Sequence, residues 1–194
     1  MLHPILERVR EIGGVVFTGG DYNLNLIGIR AAPERAQSNR FDDSIHAIYK
    51  ERGQWVDRWW RATTDPGTYW LRHPMNSAGC AALVADRQYR SCWRLGKHRG
   101  KYLALVQRGC SDVAVHRDDN ADDRVDYLPD NIQIGNFGIN LHRATTRSGG
   151  SVRVDRWSAG CQVIAEPGGF ASLIRLCQKQ TAGDRFSYTL LTEW

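Results

Sequence analysis

Strand-like runs fill this chain almost from end to end. Residues 23–30 (NLNLIGIR) alternate apolar with polar. Comparable runs follow in IHAIYK, WVDRWW, CAALVADRQY, KYLALVQ, DVAVHR, FGINLHRA, VRVDRWSAGCQVI and RFSYTLLTEW. A period of two suits a strand with one buried face, and turn residues separate the runs. IHAIYK and WVDRWW flank ERGQ, which reads as a hairpin; KYLALVQ and DVAVHR flank RGCSD, which reads as a second. RATTDPGTYWL reads as a Pro-Gly turn running into an aromatic strand. Two segments have helical spacing instead. Leu2, Ile5, Leu6, Val9 and Ile12 form one apolar stripe ahead of Gly13-Gly14, and FASLIRLCQKQ follows Gly168-Gly169. Many strands, a short N-terminal helix and one late helix predict a mainly β fold, a sandwich or barrel.

The chain of 194 residues suits a single domain, 1–194, with residues 1–22 as N-terminal helix and lead-in strand. The formal charge of +5 favours an anionic partner. Nucleic acid, anionic lipid and an anionic polymer such as bacterial cell wall all qualify, and the scattered arginines count against nucleic acid. No apolar stretch is long enough to span a membrane, so no membrane insertion is expected. The amphipathic start is no signal peptide. The expectation is synthesis in the cytosol and arrival at any wall target by another route.

Cys80, Cys92, Cys110, Cys161 and Cys177 show no CxxC pair, so neither a zinc site nor a full disulfide set is suggested. His46, His73, His98 and His116 form no HxH or HExxH cluster, and neither a metal nor another cofactor is expected. Residues 118–123 (DDNADD) offer oxygen donors but lack the glycine and glutamate of a calcium loop, which favours a solvated turn. Trp55, Trp59, Trp60 and Trp93 suit either sugar stacking or packing.

Residues 138–164 carry the chemistry: GINLHRATTRSGGSVRVDRWSAGCQVI. A cysteine nucleophile needs a group that takes its proton, backbone N–H groups for the developing oxyanion, and room for a carbonyl. Ser158-Ala159-Gly160-Cys161 offers the last two, with N–H groups from Gly160 and Cys161 facing one concavity. His142 offers the first, on a neighbouring strand across the loop of residues 143–157. The competing reading makes Cys161 a small buried apolar residue and His142 a satisfied core histidine.

The His142 segment and the SAGC turn resemble the signature of L,D-transpeptidases of the YkuD type. There a histidine precedes Ser/Thr-His-Gly-Cys by a similar interval. Thr64-Asp65-Pro66-Gly67-Thr68-Tyr69 is similar to that family's upstream Thr-Pro-x-Gly-x-Phe/Tyr segment. The resemblance implies a YkuD-like fold and attack on peptidoglycan stem peptides, at the bond between an L-centred diamino acid and a D-amino acid. It makes Cys161 the nucleophile and His142 the base. Gly160 and Cys161 supply the oxyanion donors, and Ser158 shapes the turn. Arg143, Gln162, Asn140 and Ala159 fall in the substrate-binding positions. Ala159 stands where the family usually has histidine, and Arg143 replaces a small residue. Hydrolysis and transpeptidation both stay open, with cutting favoured over joining.

With an export signal missing, the reading extends to a phage lysis factor or a delivered antibacterial effector, with delivery machinery or an immunity protein as further partners. The alternatives are a different cysteine amidase or peptidase, such as the papain-like kind, and a non-catalytic wall-binding or virion structural module. The first usually places cysteine before histidine; Ala159 favours the second.

Overall fold

The alternating runs do become strands, but their pairing is longer in range than the sequence suggests. The computed structural model describes residues 2–108 and 112–194. Helix α1 (Pro4–Glu11) begins on a proline, whose fixed φ suits a first helical turn. Its Leu6 and Val9 are buried against Ile27, Ile48 and Leu191. The lead-in strand expected within residues 1–22 is not found among the described residues there. Residues 13–24 run irregularly, pinned where Phe17 N–H donates to Asn25 Oδ1 at 2.8 Å and Asn25 Nδ2 donates to Phe17 O at 2.9 Å.

Strands β1 (Asn25–Arg30), β2 (Asp43–Glu51) and β3 (Gln54–Thr63) follow. The β2–β3 hairpin is as the sequence predicts; the Asp21 carboxylate takes the N–H groups of Arg52 and Gly53 at its tip. The Pro-Gly segment corrects the reading. It runs into helix α2 (Thr68–Arg72), not a strand, because the N–H groups of Trp70 and Leu71 both return to Gly67 O. CAALVADRQY is two strands, β4 (Cys80–Leu83) and β5 (Arg87–His98), broken at residues 84–86. The second predicted hairpin does not form. β6 (Tyr102–Gln107) pairs with β5, while β7 (Val113–Asp118) pairs with β4 and with β8 (Ile132–Gly135). The RGCSD turn falls largely outside the described residues. Of the long C-terminal run, only β9 (Leu141–Arg143) and β10 (Gln162–Ile164) are strands; Arg153 makes a single bridge to Arg40. Helix α3 (Pro167–Gln178) and strand β11 (Arg185–Thr192) complete the chain.

The protein is mainly β, with three α-helices among the described residues. Eight strands close into a barrel in the order β1-β11-β5-β6-β9-β10-β3-β2, and β4-β7-β8 form a second, small sheet. Two barrel pairs are parallel, β1 with β11 and β9 with β10. Closure removes the free strand edges of the main sheet. The core includes Leu26, Trp93, Leu105, Leu141 and Tyr188, and α3 adds Phe170, Leu173, Ile174 and Cys177 to it. Cys92 is disulfide-bonded, which the spacing of the cysteines did not suggest; Cys110 lies outside the described residues. No helix among the described residues is long and apolar enough to cross a membrane.

Trp93 fills the core and donates its indole N–H to Ile139 O at 2.8 Å, just before the candidate site. Trp93→Ala leaves both a void and an unpaired carbonyl. Urea unfolding is expected to show a loss of about 3–5 kcal/mol.

Candidate active site

The site rests on a buried polar knot that fixes the Pro-Gly segment. Asp43 accepts the N–H of Ala31 at 2.8 Å and both the N–H and the hydroxyl of Thr64, at 2.6 and 2.9 Å. Arg30 donates Nε to Thr64 Oγ1 at 2.9 Å and pairs with Asp65 at 3.0 Å. The Tyr127 hydroxyl donates to Asp65 at 2.6 Å, and the Arg30 guanidinium lies 4.7 Å from the centre of the Tyr127 ring. Buried charges persist only with such partners. Burial, then Asp65, pushes the Asp43 carboxyl up to about 7. The segment so held reaches Gly67, whose N–H donates to Ser158 O at 2.9 Å. A β-carbon on Gly67 would collide with the Asp155 backbone, so only glycine allows this contact.

Ser158 closes the turn that carries the cysteine. Its buried hydroxyl donates to Cys161 O at 2.8 Å and accepts the Gly160 N–H at 3.1 Å. Gly160 has φ +128°, and a β-carbon there would strike the Ala81 carbonyl of β4. The turn therefore depends on glycine twice over, for its conformation and for its clearance. The expected pair of oxyanion donors is reduced. The Gly160 N–H serves the turn itself, which leaves the N–H of Cys161 for a substrate oxygen.

Parallel pairing brings the turn to the histidine strand. Gln162 N–H donates to Asn140 O at 2.8 Å, and Val163 sits opposite His142. The Cys161 sulfur accepts the Asn140 N–H at 3.4 Å and lies 3.8 Å from Gly138 O. His142 is buried; its Nδ1–H donates to Arg143 O at 2.9 Å, which leaves the Nε2 lone pair to accept a proton.

A second imidazole joins it. His98, at the end of β5, stacks on His142 with ring centres 4.2 Å apart. Gln107 N–H donates to Asn140 Oδ1 at 3.0 Å, so it is the Asn140 Nδ2 that faces His98 Nδ1, at 3.1 Å, and donates to it. The proton of neutral His98 then sits on Nε2. Two imidazoles in contact cannot both be charged. Burial first, then His98, holds His142 down to about 3. Burial pushes the Cys161 thiol up, against the pull of the Asn140 N–H and Arg99. No hydrogen bond joins Cys161 to His142 among the described residues. The resting pair is thus a neutral thiol and a neutral imidazole. For such a pair to act as nucleophile and base, the proton would have to move as the sulfur attacks, since there is no standing thiolate.

Cys161, His142, Asn140, Arg143 and Ala159 line one open groove of about 1180 Å³. Gln162 does not. It is buried, donates to Thr64 O at 3.3 Å and accepts the Tyr188 hydroxyl at 2.8 Å, so it braces the Pro-Gly segment and is not a substrate ligand. Asn140 also differs from expectation, because its side-chain amide is engaged by Gln107 and His98. The sequence reading missed His98, whose spacing from His142 carries no motif. It also missed Trp70 and Trp157, the tryptophans that do line the groove, unlike the four singled out from the sequence. No group of three or more His, Cys, Asp or Glu side chains among the described residues is arranged to hold a metal ion. In the DDNADD loop Asn120 donates to Asp122 and to Asp126 just beyond it, and Asp123 takes two hydrogen bonds from Arg72.

A histidine held neutral in the fold but free to charge when unfolded makes the protein acid-sensitive. The folded value lies below the ordinary 6.5, so the contribution is intact above about pH 6.5 and lost as the pH falls toward 3. Between pH 7 and pH 5 the native protein should lose about 2 kcal/mol more stability than His142→Gln, read from urea unfolding at each pH. Iodoacetamide with mass mapping should label half-buried Cys161 ahead of Cys80 and Cys177, which are buried, and ever faster above neutral pH.

No family model matches the chain, and neither a curated protein nor a solved structure gives a significant match.

Proposed function

We propose that the protein is a cysteine-dependent acyl-transfer enzyme acting on peptidoglycan stem peptides, at the bond between an L-centred diamino acid and a D-amino acid. The observation that carries this reading is the convergence of Cys161 and neutral His142 on one groove through the parallel β9–β10 pair. The Gly67–Ser158 hydrogen bond adds support, since it joins the two segments on which the L,D-transpeptidase resemblance rests. The Cys92 disulfide suits an oxidising compartment, where cell wall is met.

In this reading the Cys161 sulfur attacks the carbonyl carbon while its proton passes to His142 Nε2. The Cys161 N–H steadies the oxyanion. His142 then gives the proton to the departing amine, and a thioester remains. Water or a second amine attacks the thioester and loses its proton through His142. The freed sulfur regains a proton, and a shortened or crosslinked stem leaves. Cutting is favoured over joining, and a delivered effector or a phage lysis factor fits such an activity.

A second reading is a wall-binding module that keeps the groove without the chemistry. The use of the Gly160 N–H within its own turn favours it.

Purified tetrapeptide monomers and crosslinked dimers, incubated with the protein and with Cys161→Ala, separate the two when followed by mass spectrometry. Loss of the terminal D-alanine, dimer cleavage or D-amino-acid exchange is expected, and should vanish in the variant. Unchanged muropeptides with folded protein would leave the binding module as the better reading.

A further inference from the structure

The groove is lined by six cationic side chains and by no carboxylate: Arg99, Lys101, Arg117, Arg143, Arg147 and Arg156. None of the six forms an ion pair among the described residues, although the chain as a whole has 21 acidic residues to 26 Lys and Arg. Like charges crowded around a concave surface repel one another, and an anionic ligand relieves that repulsion.

Three of the guanidinium groups are held in place by aromatic faces. Arg143 lies 3.8 Å from the ring centre of Tyr102, Arg156 lies 3.9 Å from that of Tyr69, and Arg117 lies 4.7 Å from that of Phe137. A stacked guanidinium keeps its N–H edge available while losing much of its rotational freedom. Arg117 already spends donors on Gln133 and Gly79 O. Arg143 and Arg156 do not spend theirs on an acid. They also come from separate elements. Arg143 follows His142 on β9, whereas Arg156 precedes the cysteine turn in a loop fixed by the hydrogen bond from Trp70 Nε1 to Arg156 O, 3.1 Å long. Two forked donors thus approach the groove from the base strand and from the nucleophile loop.

We propose that the groove selects peptides with free carboxylates on both sides of the bond offered to Cys161, and that Arg143 and Arg156 are the residues that read them. The inference rests on the stem-peptide reading and narrows it to stems whose carboxylates are not amidated. A guanidinium fork binds a carboxylate through two charge-assisted hydrogen bonds. A carboxamide offers one acceptor oxygen and no charge, and it turns an N–H₂ group toward the cation. No carboxylate lines the groove to draw that N–H₂ group away from the cations. Nucleic acid is the poorer fit, because its phosphates need a track along an extended backbone, and here the cations surround a concavity that ends at a thiol.

The test uses Cys161→Ala, so that binding is read without turnover. Intrinsic fluorescence, to which Trp70 and Trp157 in the groove contribute, is followed during titration with two tetrapeptide muropeptides. They are identical except that one has free carboxylates and the other has them as carboxamides. The free form is expected to bind at least about tenfold more tightly. Its affinity should weaken with added salt, and that of the amidated form should not. Adding Arg143→Gln and Arg156→Gln should bring the two forms within about threefold of each other, mainly by weakening the free one. The ligand pair itself tests the proposal on the unaltered groove, should the triple variant fail to fold.

Equal affinity for the two muropeptides overturns the proposal. Tighter binding of single-stranded oligothymidylate than of either muropeptide, at the same salt, overturns it in favour of nucleic acid. Tetraglutamate and tetraglutamine are titrated alongside. Neither muropeptide binding while tetraglutamate binds and tetraglutamine does not would remove the stem-peptide reading and keep carboxylate selectivity. A groove that binds the muropeptides without turning them over in the native protein would remove the enzymatic reading alone.

Discussion

The candidate site hangs on three residue pairs. β9 and β10 are short, and their parallel register sets Gln162 against Leu141, Val163 against His142 and Ile164 against Arg143. That register decides which backbone N–H meets the Cys161 sulfur and which side chains share its groove. A slip by one residue would turn His142 to the opposite face, since side chains alternate along a strand. Parallel pairs also need a crossover. Here it is the loop of residues 144–161, and its return is fixed by contacts that only small residues permit. Gly67 touches the Asp155 backbone, and Gly160 passes the Ala81 carbonyl.

Electrostatics then gives the groove its character. The same burial that raises the thiol lowers the histidine, and the two shifts act in concert. A buried imidazole stacked on a second imidazole and flanked by Arg99 and Arg143 stays uncharged. Burial keeps the thiol protonated against the pull of the Asn140 N–H and Arg99. Positive charge in the groove is therefore carried by arginine and lysine and is independent of the state of His142. A negative ligand entering there would lessen the cost of charging His142, because it offsets the cations that oppose it.

Much of this was legible in the sequence, and the limits are specific. Alternation found most of the strands, and helical spacing found α1 and α3. The SAGC turn and the Pro-Gly segment stood out because glycine, proline and serine have strong local preferences. What failed were readings that needed a distant partner. YWLR has strand-like residues, yet it forms α2 because Gly67 O accepts its first N–H groups. KYLALVQ and DVAVHR are close in sequence but belong to different sheets. Gln162 sits beside the cysteine in sequence and faces away from the groove, toward Tyr188 and Thr64.

By itself, then, the sequence determined a mainly β chain with helices near both ends, and a glycine turn that carries a cysteine 19 residues after a histidine. Those properties follow from side-chain periodicity and from the backbone freedom of single residues, which act over a few positions. Only the tertiary structure decided the closure of the barrel, the stacking of His98 on His142, the inward turn of Gln162 and the gathering of six scattered cations around one groove. These depend on contacts between residues tens of positions apart, which burial and hydrogen bonding select and which no local pattern encodes.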